Sequence, residues 1–343
     1  MIRFLSLSIL SMICSFTNGK IPFVEKFADW AEKFNIQMFD EVVQEHIFYN
    51  WMKNDNFIDN INNLNLTYTL GHNQFSGMNE TEFSSYLGLK LNEKIINNNK
   101  YLRVQNIDTM TTMSYPDSFD WREKGFNQPA QDQGQCGSCW TFSTAEALSG
   151  AYFVKYDELI SFSKQQLVDC DNLHSKPRGT SMGCNGGQID GAFNWIGKNN
   201  GLCLEEDYKY VSGETKTEQD CKYDCLVYQN SDVLSHTDVK SSSDEQMMQA
   251  ISKQPVSVAI QADQKTFQLY KNGVMTGDCG TNLDHAVLLT GYGSDNGVDY
   301  YTIKNSWGTS WGEDGYIKIG RGDEFNHGDG QCGVLLQGSY PNL

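Results

Sequence analysis

The chain has 343 residues, of which 39% are hydrophobic and 20% are charged, and its formal net charge is −17. This length and apolar content are enough for one large or two modest packed units, which excludes a disordered or low-complexity protein. After residue 114 the chain carries 31 acidic and 17 basic residues, so we expect neither nucleic acid nor an anionic membrane as a partner.

The first nineteen residues have the pattern of a secretory signal peptide. Arg3 precedes an apolar run from Phe4 to Phe16, and the small residues Thr17 and Gly19 favour cleavage after position 19. The run is shorter than the roughly 20 residues that a membrane span needs. We therefore predict residues 1–19 to be a signal peptide, with no membrane span elsewhere in the chain.

Residues 20–114 contain no cysteine and are rich in asparagine. Apolar residues recur at helical spacing from Phe23 to Phe34 and from Val42 to Leu64, which predicts two amphipathic helices that pack on each other. Two sequons, at Asn65 and Asn79, predict N-glycosylation in this region.

Residues 97–113 are polar, with scattered apolar residues and no strong periodicity. This pattern predicts an extended connector, which is a natural place for proteolytic cutting. We expect the mature N-terminus to lie between residues 108 and 115.

Residues 115–343 divide into two halves with different patterns. Helical spacing extends from Cys139 to Lys155 and over shorter stretches at 163–168 and 189–196, whereas short β-prone runs between glycines dominate after Val256. We expect an α+β domain, with a helical half, a bent antiparallel sheet or barrel, and a cleft between them.

Cys139 has the sequence context of a reactive thiol. It follows Gln133-Gly-Gln-Cys136-Gly-Ser and directly precedes the long apolar helix. A thiol at a helix N-terminus meets unpaired N–H groups and the positive end of the helix dipole, which favour the thiolate that a nucleophile requires.

Four short motifs resemble those of a known protein family and follow one another along the chain in that family's order. They are Cys136-Gly-Ser-Cys139-Trp140, Gly183-Cys-Asn-Gly-Gly187, Leu283-Asp-His285-Ala-Val287 and Asn305-Ser-Trp307-Gly308. Together they resemble the papain and cathepsin cysteine proteases, a family whose cysteine signature is a known example of such motifs. The resemblance implies a papain-like domain over residues 115–343, with a helical left lobe and an antiparallel β-barrel right lobe, behind an α-helical inhibitory propeptide over 20–114.

The resemblance also implies the roles of individual residues. Cys139 would be the nucleophile, and His285, 146 residues later, would hold and return the proton. Asn305 would orient the imidazole, and Trp307 would shield that contact from water. Gln133 would donate a side-chain N–H to the oxyanion, together with the main-chain N–H of Cys139.

A substrate cleft follows from the same resemblance. The pocket for the residue before the scissile residue (P2) would be lined by Gln188, Ile189, Ala259, Leu283, Ala286 and Gln337. Gly137, Gly186, Gly187, Asp284 and Trp307 would complete the substrate-binding set. A largely apolar pocket predicts Leu, Val or Phe at P2, and the uncharged amide of Gln337 predicts weak tolerance of Arg.

Nine cysteines follow the signal peptide, so an odd thiol must remain after pairing. The resemblance implies the pairs Cys136–Cys184, Cys170–Cys221 and Cys279–Cys332. Parity and proximity in the chain add Cys203–Cys225, which leaves Cys139 as the free thiol.

The region before residue 115 resembles the inhibitory propeptides of this family, but only in part. Trp51, Asn54, Ile58 and Asn62 match the second half of the helical motif. Val43 and Ile47 stand where Glu and Arg are usual, and Gly77 stands where a later motif has Asp. We hypothesise that the propeptide still folds over the cleft, and that acid-triggered release does not use a carboxylate at position 77.

The sequence therefore predicts a cysteine endopeptidase made as a secreted, monomeric zymogen, with no metal or cofactor. Its partners would be protein and peptide substrates, its own propeptide and cystatin-type inhibitors, and its destination an acidic lysosome-like compartment or the extracellular space. The alternatives are a silent papain-fold binding or storage protein, a protease inhibitor, and a zinc or redox site at Cys136 and Cys139.

Overall fold

A computed structural model describes residues 21–90, 104–106 and 115–343. The predicted signal peptide, most of the predicted connector and nearly all of the interval expected to hold the mature N-terminus lie outside these residues. The helices are α1 (Ile21–Lys33), α2 (Glu41–Asn62), α3 (Glu80–Phe83), α4 (Cys139–Tyr156), α5 (Lys164–Cys170), α6 (Ile189–Lys198), α7 (Ser212–Thr215), α8 (Asp244–Lys253) and α9 (Lys265–Gln268). The strands are β1 (Tyr68–Leu70), β2 (Val104–Asn106), β3 (Phe119–Asp120), β4 (Ser235–Val239), β5 (Val256–Ile260), β6 (Tyr270–Met275), β7 (His285–Asp295), β8 (Val298–Lys304), β9 (Tyr316–Gly320) and β10 (Gly338–Asn342). Within the described residues, no helix has the length and apolarity to cross a membrane.

The long helix α4 is the centre of the helical half. Every residue from Cys139 to Tyr152 is buried, because α5, α6 and strand β7 all pack against it. Small residues permit this close approach: a Cβ on Gly150 would lie 2.6 Å from a ring carbon of Pro255. The helix ends at Asp157, which adopts a left-handed conformation with φ of 57°. The predicted helix from Cys139 is confirmed.

The sheet half follows the order β1-β6-β9-β8-β7-β5-β10-β4-β2, and β3 pairs with β7. Its centre is the antiparallel set β5, β7, β8 and β9, so the predicted strands after Val256 are confirmed. The sheet is not purely antiparallel, because β6 pairs with β9 and β2 with β4 in parallel. The α+β fold with two lobes is nevertheless the predicted one.

The two predicted propeptide helices, α1 and α2, pack on each other through a small aromatic cluster. Its buried members are Phe27, Trp30, Ala31, Phe48 and Trp51. At its edge the imidazole of His72 stacks on the Trp51 ring at 4.6 Å, and its Nε2 lies 2.9 Å from Asp55 Oδ1. Asp55 also forms an ion pair with Lys26. Charged side chains therefore border the aromatic cluster on this side.

The chain after α2 leaves this cluster and joins the domain formed by residues 115–343. Strand β1 pairs antiparallel with β6, so the propeptide contributes a strand to the main sheet. Amide side chains fix the following turn, since Asn54 Nδ2 donates to the Ser76 carbonyl and Asn73 Nδ2 donates to the Gln268 carbonyl. A Cβ on Gly77 would lie 2.7 Å from Ile47 Cγ2 and 2.9 Å from Trp30. Two of the three departures from the propeptide motifs, at 47 and 77, therefore pack together.

Four disulfides link segments of the peptidase domain. They join Cys136 to Cys184, Cys170 to Cys221, Cys203 to Cys225, and Cys279 to Cys332. These are the pairs that the sequence analysis expects, and Cys139 is the free cysteine among the described ones.

Candidate active site

Cys139 is the first residue of α4, and its side chain is completely buried. The unpaired N–H groups of the first helical turn and the helix dipole therefore surround the thiol. Three residues earlier, the disulfide from Cys136 to Cys184 anchors the preceding loop. The thiol is thus held at a fixed point of the molecule.

Strands β7 and β8 bring His285 and Asn305 together. His285 opens β7 and Asn305 directly follows β8, which is its antiparallel neighbour. His285 Nε2 lies 2.8 Å from Asn305 Oδ1, which also accepts the main-chain N–H of Ser306 at 2.8 Å. Because Oδ1 accepts from Ser306, the imidazole Nε2 donates. The other ring nitrogen, Nδ1, has no hydrogen-bond partner among the described residues and is left for proton transfer.

Trp307 covers the contact between His285 and Asn305. Its ring stacks on the imidazole with centroids 4.8 Å apart and an interplanar angle of 26°, and its side chain is completely buried. Water is therefore kept from the hydrogen bond that orients the imidazole.

Gln133 lies beside Cys139 with its amide fixed on both sides. Ser306 Oγ donates to Gln133 Oε1 at 2.6 Å, which turns the amide nitrogen toward the cleft. Nε2 donates to the carbonyls of Cys136 and of Tyr86, both at 2.8 Å. Tyr86 belongs to the predicted propeptide. The Gln133 amide that we expect to stabilise the oxyanion is therefore already hydrogen-bonded to a propeptide carbonyl.

Burial shifts both proton-transfer groups toward their neutral forms. It raises the pKa of the Cys139 thiol to about 11, even though the main-chain N–H groups of Ala286, Gly88 and Trp140 lower it. It lowers the pKa of His285 to about 4, against the opposing effect of the Asn305 contact. In this closed form the pair is a thiol and a neutral imidazole. The expected thiolate and imidazolium pair is therefore wrong for the closed form, because burial outweighs the helix N-terminus.

An extended segment of the predicted propeptide, residues 87–90, crosses the site. The N–H of Gly187 donates to the Gly88 carbonyl, and the N–H of Lys90 donates to the Gly187 carbonyl, both at 3.0 Å. On the opposite side the N–H of Leu89 donates to the Asp284 carbonyl at 3.0 Å. Gly88 is needed for this approach, because a Cβ there would lie 1.8 Å from the Gly137 carbonyl oxygen.

Aromatic rings of the propeptide hold that segment in place. Phe75 and Phe83 meet the Trp307 ring edge to face, with centroids 5.2 and 5.3 Å apart. Gln74 Nε2 donates to the Trp307 carbonyl at 2.6 Å. The propeptide therefore docks on the same tryptophan that covers the imidazole.

The structure places most of the expected pocket residues on adjoining elements. Ala259 pairs with Ala286 across β5 and β7, and its N–H donates to the Gln337 carbonyl. Ile189 opens α6 after Gln188, and Leu283 is partly buried against the core. The remaining expected residues, Gly137, Gly186, Gly187, Asp284 and Trp307, contact the propeptide.

Sequence reasoning missed two groups that fix the site. Tyr210 donates to the Gln133 carbonyl and shares a hydrogen bond with Ser138 Oγ, both at 2.7 Å. Ser306 holds the Gln133 amide. Ser306 lies within a motif and could have been noted, whereas Tyr210 is distant in the chain and carries no local signal.

Comparison with known proteins agrees with this geometry. The domain described as papain family cysteine protease matches residues 115–342, and the cathepsin propeptide inhibitor domain (I29) matches residues 27–83. The chain is 43% identical over 310 residues to cysteine proteinase COT44 of Brassica napus, covering 87% of this chain and 88% of that protein.

Solved structures extend the comparison to three dimensions. The proform of Amb a 11, a ragweed pollen cysteine protease, has a TM-score of 0.81 and 32% identity, covering 95% of this chain and 96% of that one. The bromelain protease of Ananas comosus in complex with the E64 inhibitor has a TM-score of 0.60 and 37% identity. That comparison covers 66% of this chain and 99% of the bromelain chain.

Proposed function

This chain belongs to the papain family of cysteine proteases and carries the family's propeptide inhibitor domain, and we propose that it is a secreted zymogen of an endopeptidase that uses Cys139 and His285. The observation that carries the proposal is the His285–Asn305 hydrogen bond beneath Trp307. The buried thiol at the helix N-terminus adjoins it, because the main-chain N–H of Ala286, the residue after His285, contacts the Cys139 sulfur. These groups supply a nucleophile, a proton carrier and its orienting partner.

The proposed reaction begins when Cys139 gives its proton to Nδ1 of His285 and its sulfur adds to the peptide carbonyl carbon. The resulting oxyanion would take hydrogen bonds from the Gln133 amide and the main-chain N–H of Cys139. His285 then returns the proton to the leaving amine as the C–N bond breaks, which leaves a thioester. Water, deprotonated by the same imidazole, adds to the thioester carbonyl carbon. The C–S bond then breaks, the carboxylic acid product leaves, and the imidazolium proton returns to the sulfur.

The propeptide would inhibit by filling the site with groups that cannot react. The Tyr86 carbonyl takes the Gln133 amide, and the thiol meets the N–H of Gly88. A substrate would present an electrophilic carbonyl carbon to the sulfur, whereas the propeptide presents a hydrogen-bond donor. The propeptide can therefore occupy the cleft without being cut there.

We further propose a hydrophobic P2 preference. The side chain of Leu89 is buried, and its main chain bonds to Asp284 and bridges to Gly187, the direct neighbours of the pocket residues Leu283 and Gln188. An aliphatic group therefore already lies in this part of the cleft. Burying such a side chain contributes about 1.5–3 kcal/mol. Gln337 adds no charge that would compensate a buried Arg.

The proposed processing removes residues 1–19 as a signal peptide and residues 20–114 as a propeptide, leaving 115–343 as the peptidase. The family match that begins at residue 115 supports the second boundary. We propose entry into the secretory pathway, glycosylation at Asn65 and Asn79, and a vacuolar, lysosome-like or extracellular destination. Cystatin-type inhibitors and a monomeric state belong to the same proposal.

The test of the catalytic assignment is hydrolysis of a Phe-Arg peptide by acid-processed enzyme. We expect Cys139→Ala to lower kcat/KM by at least about 10⁴-fold and Gln133→Ala to lower kcat by about 10²–10³-fold. Gln249→Ala, on the surface of α8 away from the site, is the matched control and should retain full activity. Activity that survives Cys139→Ala would overturn the assignment, and an inert processed wild type would indicate a silent binding protein.

The test of the pocket compares Phe-Arg and Arg-Arg peptides. We expect the Arg-Arg peptide to be cleaved at least about tenfold less efficiently, since its P2 side chain loses most of the burial contribution. Gln337→Glu should reduce the difference in cleavage efficiency between the two peptides, because its carboxylate can pair with the P2 Arg. Comparable cleavage of both peptides by the wild type would contradict the proposed preference.

A further inference from the structure

A cluster of three metal-ligating side chains lies outside the catalytic site. Asp190, the second residue of α6, meets His236 and Asp238 of β4, and one ligand atom from each lies within 4.8 Å of the others. His236 and Asp238 alternate by two residues along β4, so both project from the same face of the strand. Two elements far apart in the sequence thus converge on one point.

His236 is the unusual member, because its side chain is almost fully buried without a hydrogen bond to account for it. The residue is 2% exposed. Its Nδ1 has no partner among the described residues, and its Nε2 lies 3.6 Å from Asp238 Oδ1, which is too long for a hydrogen bond. A buried imidazole that makes no hydrogen bond pays a desolvation cost, which a cation bound to one of its nitrogens would offset.

The two carboxylates differ in their hydrogen-bond partners. Asp238 Oδ1 is buried with no hydrogen-bond partner among the described residues, and Asp190 Oδ1 accepts a hydrogen bond from Ser339 at 2.7 Å. Two carboxylates that repel each other beside an imidazole form a site that a cation would neutralise.

We propose that Asp190, His236 and Asp238 bind one divalent transition-metal cation, with zinc as the reference ion. One imidazole nitrogen and two carboxylate oxygens form a donor set that suits such ions, whereas Ca²⁺ and Mg²⁺ prefer oxygen ligands alone. The side chain of Asp238 is 38% exposed, so the open side can supply water as a further ligand. The two negative charges balance the charge of the ion.

The bound cation would brace the back of the proposed substrate pocket. Asp190 directly follows Ile189, and its partner Ser339 lies two residues after Gln337. Both neighbours belong to the pocket set. The cation would therefore join the start of α6 to β4, and through Ser339 to β10, without contacting Cys139.

The test measures Zn²⁺ binding by isothermal titration calorimetry on the full proform that carries Cys139→Ala, because the free thiol is itself a zinc ligand. We expect one site per chain and a melting temperature that rises with Zn²⁺ concentration. His236→Gln and Asp238→Asn should each weaken binding at least about tenfold, since even losing an outer partner of a ligand can cost that much. His174→Gln, which changes a histidine outside the cluster, is the matched control and should bind as the parent does.

Three results would overturn the proposal. They are the absence of a one-to-one site in the parent, an equal loss of binding in the His174→Gln control, and preferential binding of Ca²⁺ over Zn²⁺. Asp238→Asn changes a partly exposed side chain and should fold. If His236→Gln fails to fold, the zinc affinity of Asp238→Asn tests the proposal instead.

Discussion

The propeptide and the peptidase domain are stabilised in different ways. The peptidase domain has four disulfides and a continuous core. In contrast, α1 and α2 pack on each other through five buried apolar residues, and the described part of the propeptide contains no cysteine. Between them lies a third kind of region, residues 68–89. Its buried residues Tyr68, Phe75, Phe83, Tyr86 and Leu89 belong to the core of the peptidase domain.

This difference shows where inhibition originates. The helical cluster positions the chain, but the groups that close the site lie in the segment that shares a core with the enzyme. Weakening that segment should release activity, whereas weakening the peptidase domain should lower stability without releasing activity. Three variants separate these effects, and a fourth tests the buried imidazole of the closed site.

The largest expected effect comes from Phe75→Ala, which removes a ring that contacts Trp307, Phe83 and Tyr86. A buried Phe→Ala change costs about 3–5 kcal/mol. We expect the unprocessed proform to hydrolyse a Phe-Arg peptide about 10²-fold or more faster than the wild-type proform. Phe39→Ala is the matched control, because Phe39 is 83% exposed, and similar leakage in both variants would contradict the comparison.

The second variant weakens only the peptidase domain. Replacing both Cys203 and Cys225 by serine opens a link of 22 residues and should lower the free energy of unfolding by about 3 kcal/mol, measured by urea denaturation. The proform should nevertheless remain inactive on the Phe-Arg peptide. Leakage of activity comparable to that of Phe75→Ala would show that the two regions are not separable.

The third variant addresses the helical cluster. Gly77→Asp forces a carboxylate against Ile47 and Trp30, and overpacking of this kind costs about 1–3 kcal/mol. We expect a lower melting temperature of the proform and a modest rise in its residual activity. Gly77→Asp combined with Ile47→Arg supplies a partner for the carboxylate and should recover part of the loss. If Gly77→Asp alone is as stable as the wild type, the packing account of these two positions is wrong.

The remaining expected effect concerns stability alone, as a pH dependence that comes from His285. The folded proform keeps this imidazole neutral down to about pH 4, whereas its ordinary pKa is 6.5. The unfolded chain therefore binds more protons between these values, and stability falls as the pH falls. In a Cys139→Ala background, the free energy of unfolding should depend less steeply on pH once His285 is replaced by Gln. We expect the slope to fall by up to about 1.4 kcal/mol per pH unit. Identical slopes, from melts at pH 4 to 6.5, would contradict a buried neutral His285.

The sequence was sufficient for the family, the central helix and the expected disulfide pairs, because short motifs and strong periodicity encode them. It did not predict β4 or β10. β4 reads Ser-His-Thr-Asp-Val and β10 contains Pro341, so neither has the apolar alternation of a strand. Both are stable as strands because they pair with each other, five residues against five.

The same limit applies to the sites. Cys139 and His285 lie in motifs, but Tyr210 reaches Gln133 through the fold alone. Asp190 and His236 are 46 residues apart, without the spacing of a known metal motif. Position 77 could be predicted only in part. The sequence shows that the usual carboxylate is missing there, but only the structure shows that Gly77 packs against Ile47.

The most direct test of the account is the rate at which E-64 labels the wild-type protein before and after acid processing, followed by peptide mapping. A propeptide that seals a neutral thiol predicts labelling of Cys139 alone, and at least about 10²-fold more slowly in the proform held at neutral pH, because little thiolate is present there. Equal rates before and after processing, or a label on another residue, would contradict it.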